Sequence, residues 1–410
     1  MKFQEIRRCQ GRRATKWPLC ALIAGALLQC ASAWAMDKVA IPSLDGKLEL
    51  PGYWFSVAGT QALPAVISLH GCGGMLNSNG TPSVGAARDA SYFNAEKIHW
   101  LALDSFTPRG LKSICEIRER QRTVHEEDRR ADVYAAVQWL ARQPGVDFKR
   151  IAVLGRSHGA QTVLSVMDRS DKMVQAQPLR PSAAIALYPG CAKFNAMWNY
   201  GLAAPLSLMI GALDDWTPAA TCEQLHSKVL RSQKDAQFDI KVYPGSYHGF
   251  DGVGEMRIMS GVNSRSGSAH VGGNPAARED AHARIFEFLS AQWKMPLLMS
   301  HEERLKGHRY AVPQASGFAK TADVTAVPLS ENGRKRYEYY LGLNRPKAFA
   351  ITEKGGWYLA SDDVEAMRTT MENCQRSKLK CWLYAVDDEV VWRADSAARV
   401  GLGNLQRRQH

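Results

Sequence analysis

The 410-residue sequence has little that would bind metals or nucleic acids. It contains no Cys-x-x-Cys pair and no histidines at ligand spacing, so neither zinc nor another metal is expected. No zinc-finger, basic-zipper or aromatic RNA-binding signature accompanies its formal charge of +12, which argues against a nucleic-acid partner. With 45% hydrophobic and 22% charged residues, the composition is typical of a globular protein. The length predicts two or three folding units.

The N-terminus combines several basic residues with a short apolar stretch over 19–28 and the sequence Ala33-Trp34-Ala35. Basic head, apolar middle and small-x-small exit are typical of a secretory signal peptide. The apolar stretch is shorter than the ~20 residues that comfortably span a bilayer. We therefore predict a cleaved signal over residues 1–35, with an uncleaved anchor as the alternative.

Two other export routes remain open, because Arg12-Arg13 could serve twin-arginine export and Cys30 could accept a lipid. Without residues 1–35, 46 Lys and Arg face 39 Asp and Glu, so the net charge is +7. The mature protein is expected in the periplasm or outside the cell, with no stable membrane span.

Six cysteines follow the predicted signal, and an even number in an oxidising compartment favours disulfides. Pairing neighbours along the chain predicts Cys72–Cys115, Cys191–Cys222 and Cys374–Cys381. Connectivity itself is not fixed by sequence.

The middle of the chain alternates predicted strands and helices. Apolar runs predict buried strands over 65–69, 100–104, 151–154, 183–188, 206–210 and 239–243. Helical spacing runs over about 118–142, and further helices begin near residues 158, 218 and 276. This alternation predicts a mostly parallel sheet with helices on both faces, whose chemistry gathers at the carboxyl ends of the strands.

A predicted strand leads directly into Gly155-Arg156-Ser157-His158-Gly159, and a predicted helix follows. Strand, G-x-S-x-G and helix together form the context of a nucleophile elbow. Glycine gives the room that this sharp turn requires. The motif predicts Ser157 as a nucleophile and the amide of His158 as an oxyanion donor.

A serine nucleophile needs a base, and the base needs an acid that orients it. Asp214 and Asp215 follow the strand over 206–210, and His248 follows the strand over 239–243. We predict His248 as the base and favour Asp214 as its acid. The alternative is that one aspartate only caps the next helix.

A glycine-rich turn, His70-Gly71-Cys72-Gly73-Gly74, comes directly after the strand over 65–69. Small residues let backbone amides approach an oxyanion, so the amide of Cys72 or Gly73 is the second predicted donor. The alternative is an ordinary turn in which Cys72 serves only its disulfide.

Over 60–295 the sequence resembles the dienelactone hydrolase family of α/β-hydrolases. Five segments carry the resemblance in the family's order: 70–74, 104–110, 155–159, 211–218 and 247–250. It implies an α/β-hydrolase fold, a triad of Ser157, Asp214 and His248, and hydrolysis of esters or lactones without a cofactor. The namesake enzymes use a cysteine nucleophile and a regulatory glutamate near the oxyanion turn. Because this chain has neither, a general carboxylesterase is favoured over a hydrolase of dienelactone.

Three further residues are candidates for substrate binding. Arg109 follows the strand over 100–104, where the namesake enzymes place an arginine that binds the substrate carboxylate. Pairing with Asp104 or Glu116 is the equal alternative. Trp216 and Phe250 flank predicted triad residues and either line an acyl pocket or pack in the core.

The remaining sequence predicts a long glycine- and serine-rich loop over 252–274 and a small α+β domain after about residue 298. The loop is expected either to cover the substrate or to lie free. Predicted domains are the signal 1–35, the α/β-hydrolase 36–298, the α+β domain 299–402 and a tail 403–410. The α+β domain either binds a component of the cell envelope or packs against the hydrolase.

These features predict an exported serine esterase that acts on a small-molecule ester or lactone. The alternatives are a serine peptidase of similar fold and a catalytically silent protein that binds the cell envelope. A silent protein would be expected to lack a triad member, and none is missing from the sequence. The sequence specifies no oligomeric state.

Overall fold

The computed structural model describes residues 36–77, 80–298, 308, 310–343, 345–361, 363 and 365–406. The predicted signal peptide over 1–35 and the last four residues of the predicted tail lie outside the described residues. Within the described part of the chain, no helix has both the length and the hydropathy needed to cross a membrane.

An eight-stranded sheet forms the larger part of the structure, with strand order β1-β2-β4-β3-β5-β6-β7-β8. Strands β3 to β8 pair in parallel, and β1 and β2 are antiparallel additions beside β4. The strands are β1 Met36–Pro42, β2 Glu49–Phe55, β3 Leu63–Leu69, β4 His99–Leu103, β5 Val146–Arg156, β6 Ala183–Leu187, β7 Leu206–Gly211 and β8 Phe238–Tyr243.

The six predicted strands are all present. Strands β3, β4, β6 and β7 are apolar runs buried almost throughout, as in a sheet covered on both faces, whereas β8 is buried only at its two ends. Strands β1 and β2 were not predicted. β1 is mostly exposed, so it has no continuous apolar run, and β2 contains Pro51 and Gly52, which ordinarily disfavour strands. The sheet with its flanking helices is the predicted α/β-hydrolase fold.

Helices connect the strands and cover the sheet. They are α1 Val84–Ala95, α2 Glu126–Leu140, α3 His158–Val166, α4 Lys172–Gln175, α5 Ala192–Ala196, α6 Ala219–Ser232 and α7 Pro275–Trp293. Helix α2 begins eight residues later than predicted. The amide of His125 donates to the carboxylate of Asp128 at 2.8 Å, which caps the helix at that point.

The predicted loop over 252–274 is not a simple loop, because it contains a hairpin of β9 Arg257–Ser260 and β10 Ser268–Val271. The hairpin is attached to two neighbouring loops. The amide of Asn263 donates to the carbonyl of Cys115 at 2.8 Å, and Val271 forms a β-bridge with His248. Serine and glycine dominate this segment, so its sequence carried no strand signal.

A separate antiparallel sheet follows near the C-terminus, with order β12-β11-β13-β14. Its strands are β11 Lys347–Thr352, β12 Trp357–Ser361, β13 Cys381–Val386 and β14 Glu389–Val390, and its helices are Glu331–Leu341 and Ala366–Gln375. This is the predicted small α+β domain. The carboxylate of Asp363 accepts from the amide of Glu365 just before the second helix begins.

Three disulfides are present, and they are the pairs expected from neighbours along the chain. They join Cys72 to Cys115, Cys191 to Cys222 and Cys374 to Cys381. The first lies beside the glycine-rich turn after β3, and the third links the last helix to β13.

Candidate active site

Ser157 lies at the tip of a sharp turn between β5 and α3, as the G-x-S-x-G context predicted. Its backbone has φ 54° and ψ −118°, which is a strained conformation for a residue with a side chain. A Cβ atom on Gly155 would lie 2.2 Å from the carbonyl oxygen of Gly159, and one on Gly159 would lie 2.4 Å from that of Leu69. Glycine is therefore the residue that both flanking positions accept.

Hydrogen bonds connect Ser157 to His248, and His248 to Asp214. Nε2 of His248 lies 2.9 Å from Oγ of Ser157, and its Nδ1 lies 2.8 Å from Oδ2 of Asp214. A proton on Nδ1 donates to the carboxylate, so Nε2 is left to accept from the serine hydroxyl. Asp214 and His248 are both only 4% exposed, which removes competing water from this chain of hydrogen bonds.

Asp214 also stabilises its own loop. Its Oδ1 accepts from the amides of Trp216 at 3.0 Å and Thr217 at 2.7 Å. The hydroxyl of Thr217 lies 3.0 Å from Oδ2 of Asp214 and 3.1 Å from Nδ1 of His248. One carboxylate thus holds its own loop and contacts the histidine. The helix-capping alternative is not found, because α6 begins at Ala219 after Pro218 without a side-chain cap. The part played by Thr217 had no signal in the sequence.

Asp215 has a different partner. Its carboxylate accepts from the amide of His270 at 2.9 Å and from Nδ1 of the same residue at 2.7 Å. Burial opposes ionisation, but the hydrogen bonds and the charge of His270 together lower the pKa of Asp215 below its usual value. His270 thereby attaches β10 to the loop that carries Asp214.

Aromatic rings enclose the imidazole of His248. The ring centroids of Tyr188 and Trp216 lie 4.7 Å and 4.9 Å from it. The indole of Trp216 also donates to the carbonyl of Asn263 at 3.1 Å. Phe250 is fully buried and packs against Tyr188 and Tyr243, so it belongs to the core and does not line a pocket.

The glycine-rich turn lies against the serine, as an oxyanion site requires. A Cβ on Gly71 would be 3.5 Å from Cβ of Ser157. The disulfide to Cys115 and a 2.9 Å hydrogen bond from the amide of Ile114 to the carbonyl of Cys72 hold this turn. On the other side, the amide of His158 begins α3, where helix geometry leaves amides without internal acceptors.

A buried guanidinium lies beneath both oxyanion segments. Arg129 donates to the carbonyl of His70 at 2.8 Å and to Nδ1 of His158 at 2.7 Å. Burial, together with the charge of Arg129, lowers the pKa of both histidines well below the usual range. Their rings are therefore neutral supports, and the sequence had given no indication of Arg129.

Arg109 does not face an open site. Its guanidinium makes two hydrogen bonds with Asp132, at 2.8 Å and 2.9 Å, and one with the carbonyl of Ser105 at 2.7 Å. Arg109 therefore forms an internal ion pair and does not bind substrate in this structure. Its partner is Asp132, not Asp104 or Glu116 as expected. Asp132 lies on α2, more than twenty residues away, and sequence offers no rule for such a pairing.

A cavity of about 380 Å³ has Gly71, Arg156, Tyr188, Gly249 and Asp251 in its wall. Ser157 does not line it, but two wall residues adjoin the serine: Arg156 precedes it, and a Cβ on Gly71 would lie 3.5 Å from that of Ser157. Arg156 forms ion pairs with Asp89 at 2.7 Å and with Asp251 at 2.6 Å.

The hydroxyl of Tyr188 also donates to Asp251, at 2.7 Å. Burial alone would raise the pKa of Asp251, but Arg156 and Tyr188 lower it to about 2. The cavity wall therefore carries fixed charges that are already paired. Among the described residues, no group of three or more histidine, cysteine, aspartate or glutamate side chains is placed to hold a metal ion.

Comparison with known proteins gives one family. The profile of the dienelactone hydrolase family matches residues 112–292, which confirms over these residues the resemblance predicted from the sequence. No curated protein matches in sequence. A solved structure from Klebsiella pneumoniae, assigned as a dienelactone hydrolase, is 20% identical with a TM-score of 0.46, covering 62% of this chain and 98% of its own. Native esterase 2 from Thermogutta terrifontis is 16% identical with a TM-score of 0.45, covering 62% and 92%.

Proposed function

From the premise that residues 112–292 carry the sequence of the dienelactone hydrolase family, we propose that this protein is a serine hydrolase of carboxylic esters or lactones. The observation that carries the proposal is the hydrogen-bonded series Ser157, His248 and Asp214, with contacts of 2.9 Å and 2.8 Å. Nucleophile, base and orienting acid in this geometry are what acyl transfer requires.

In the proposed reaction, Nε2 of His248 takes the hydroxyl proton of Ser157 while Oγ attacks the carbonyl carbon of the ester. The tetrahedral oxyanion is held by the amide of His158 and by that of Cys72 or Gly73. When the intermediate collapses, His248 donates its proton to the departing alcohol. An acyl group then remains on Ser157.

Water completes the cycle. His248 removes a proton from a water molecule, the resulting hydroxide attacks the acyl carbon, and the carboxylic acid leaves as Ser157 regains its proton. Asp214 keeps the imidazole in the required tautomer in both halves and stabilises the imidazolium that forms transiently. No cofactor enters either step.

The cysteines support an exported protein. Three disulfides are unusual in a reducing cytosol and are typical of exported proteins. Together with the predicted signal over 1–35, they support a protein that works in the periplasm or outside the cell.

The experiment uses the protein purified from residue 36 onward and its Ser157→Ala variant, with p-nitrophenyl acetate and butyrate and a peptide p-nitroanilide as substrates. We expect ester turnover and fluorophosphonate labelling in the parent protein and loss of both in the variant. Ser232→Ala, on the exposed end of α6, is the matched control and should retain both.

Two outcomes would contradict the proposal. Amide cleavage as fast as ester cleavage would indicate the peptidase that the sequence left as an alternative. Absence of both turnover and labelling in the parent protein would indicate a catalytically silent fold.

A further inference from the structure

A second cavity, of about 390 Å³, lies where the C-terminal domain meets the segment before β9. The hydrolase side supplies Met256 and Arg257, and the C-terminal domain supplies Tyr339, Trp357 and Leu359. Neither the triad nor the expected role of the C-terminal domain accounts for this space.

Polar contacts fix the two walls of this cavity to each other. The hydroxyl of Tyr339 donates to the carbonyl of Val253. Arg336 pairs with Glu255 at 2.7 Å, and its guanidinium lies over the rings of Tyr339 and Trp357, at 5.3 Å and 4.9 Å from their centroids. These contacts give the cavity a defined shape, which a loose gap between two domains would lack.

The second cavity adjoins the first, which borders the turn of Ser157 through Gly71 and Arg156, because Gly254 and Arg257 line both. Gly254 has no side chain to separate them, and a Cβ there would lie 3.4 Å from the guanidinium of Arg257. A ligand that occupies the first cavity can therefore extend past Gly254 toward the C-terminal domain.

The chemistry of the second cavity suits a flat, apolar group. Leu359 and Met256 offer aliphatic surface, and Trp357 offers an aromatic ring. The guanidinium of Arg257 can stack on the face of a bound ring, as arginine commonly does. Met256 is 51% exposed and the neighbouring Ile258 is 61% exposed, so apolar surface at this rim is open to a ligand.

We propose that the second cavity binds an aromatic ring at the far end of the ester substrate, so that the C-terminal domain selects extended aryl esters. This inference rests on the proposed function, since it concerns the substrate of Ser157. It gives the appended domain a role in substrate recognition.

The test compares p-nitrophenyl esters of ω-phenylalkanoic acids, with two to eight methylenes, against unbranched alkanoates of the same chain length. A parallel series of ω-phenylalkyl acetates covers binding through the alcohol side. At an optimal length we expect the terminal ring to raise kcat/KM by roughly tenfold, the gain that about 1.4 kcal/mol of ring burial provides.

Two variants remove that gain by different means. Trp357→Ala takes away an aromatic wall. Met256→Asp places a charge at the rim, and because Met256 is 51% exposed we expect this variant to fold like the parent. For each variant, kcat/KM for the phenyl ester is divided by kcat/KM for the alkyl ester of the same length. We expect both ratios to fall toward one, while Trp198→Ala, which changes a side chain that is 89% exposed, keeps the parent ratio.

The possible failures are distinct. If p-nitrophenyl acetate is not hydrolysed through Ser157, the proposed function itself is wrong. If it is hydrolysed through Ser157 but the ring gives no gain at any length in either series, or the gain survives Met256→Asp, the aryl site is refuted while the esterase stands.

Discussion

Asp214 contacts Nδ1 of His248 at 2.8 Å, whereas the adjacent Asp215 has both of its carboxylate oxygens on His270. Two neighbouring aspartates thus serve two histidines. The first pair is buried beside Ser157, and the second is exposed and holds the β9–β10 hairpin in place. By spacing alone, either aspartate could orient His248. Their hydrogen-bond partners in the structure distinguish them.

Asparagine at each position tests this division. Asp214→Asn keeps the size of the side chain but favours the wrong tautomer of His248, so we expect kcat to fall by about 10⁴-fold. Asp215→Asn removes a charge that does not reach the imidazole of His248, and we expect kcat to stay close to the parent value. Steady-state hydrolysis of p-nitrophenyl butyrate measures both. An equal loss in the two variants would refute the assignment of Asp214.

The close approach of Gly159 to β3 gives a prediction about stability. Gly159→Ala would place Cβ 2.4 Å from the carbonyl oxygen of Leu69 and 2.7 Å from that of His70. Since neither is a flexible side chain, we expect the free energy of unfolding to fall by roughly 3 kcal/mol, at the upper end of the usual cost of overpacking.

Gly73→Ala is the matched control, because a Cβ there meets no atom within 4 Å. Urea unfolding followed by circular dichroism compares the two variants with the parent protein. Equal urea midpoints for Gly159→Ala and Gly73→Ala would contradict the prediction, because they would mean that the turn accommodates the added methyl group without cost.

The Cys72–Cys115 disulfide is expected to support both stability and activity. It closes a loop of 43 residues and holds the turn that supplies a predicted oxyanion amide. Loop-closure entropy gives it roughly 4 kcal/mol of stabilisation, against roughly 2.4 kcal/mol for the loop of seven residues closed by Cys374–Cys381.

Double alanine variants of each pair separate these effects. We expect the Cys72/Cys115 variant to lose more thermal stability and also to lower kcat on p-nitrophenyl acetate, because the turn beside Ser157 is released. The Cys374/Cys381 variant should lose stability with kcat retained. Unchanged kcat in the first variant would show that the turn is positioned without its disulfide.

Much of the fold and the candidate triad could be predicted because a parallel sheet leaves strong marks in sequence. Buried strands such as β6 and β7 are uninterrupted apolar runs, and every parallel strand ends at the same edge. Residues directly after β5, β7 and β8 therefore had to lie close together. Ser157, Asp214 and His248 are those residues.

What could not be predicted depends on contacts between distant parts of the chain. Arg129 on α2 donates a hydrogen bond to His158, and Asp132 on the same helix pairs with Arg109. Such partners depend on how a helix rotates against the sheet, and side-chain periodicity does not specify which buried charge meets which. The β9–β10 hairpin is held by contacts with His248 and Asp215, which lie elsewhere in the chain. Its own serine-rich sequence therefore lacks the alternation of apolar and polar residues that predicts strands.

His99 gives a prediction for the dependence of stability on pH. The imidazole of this buried residue accepts from the amide of Val57 at 2.9 Å and donates to the carbonyl of Gly145 at 3.0 Å. Burial lowers its pKa below the usual value, so the folded protein keeps the ring neutral while the unfolded chain takes up a proton near pH 6.5. Stability is therefore lost as pH falls below about 6.5, by at most about 1.4 kcal/mol per pH unit for this residue. Glutamine can make both hydrogen bonds without titrating, so His99→Gln should show a smaller loss than the parent between pH 7.5 and 5.5 in urea unfolding. Equal losses in the two proteins would mean that the pKa of His99 is the same folded and unfolded.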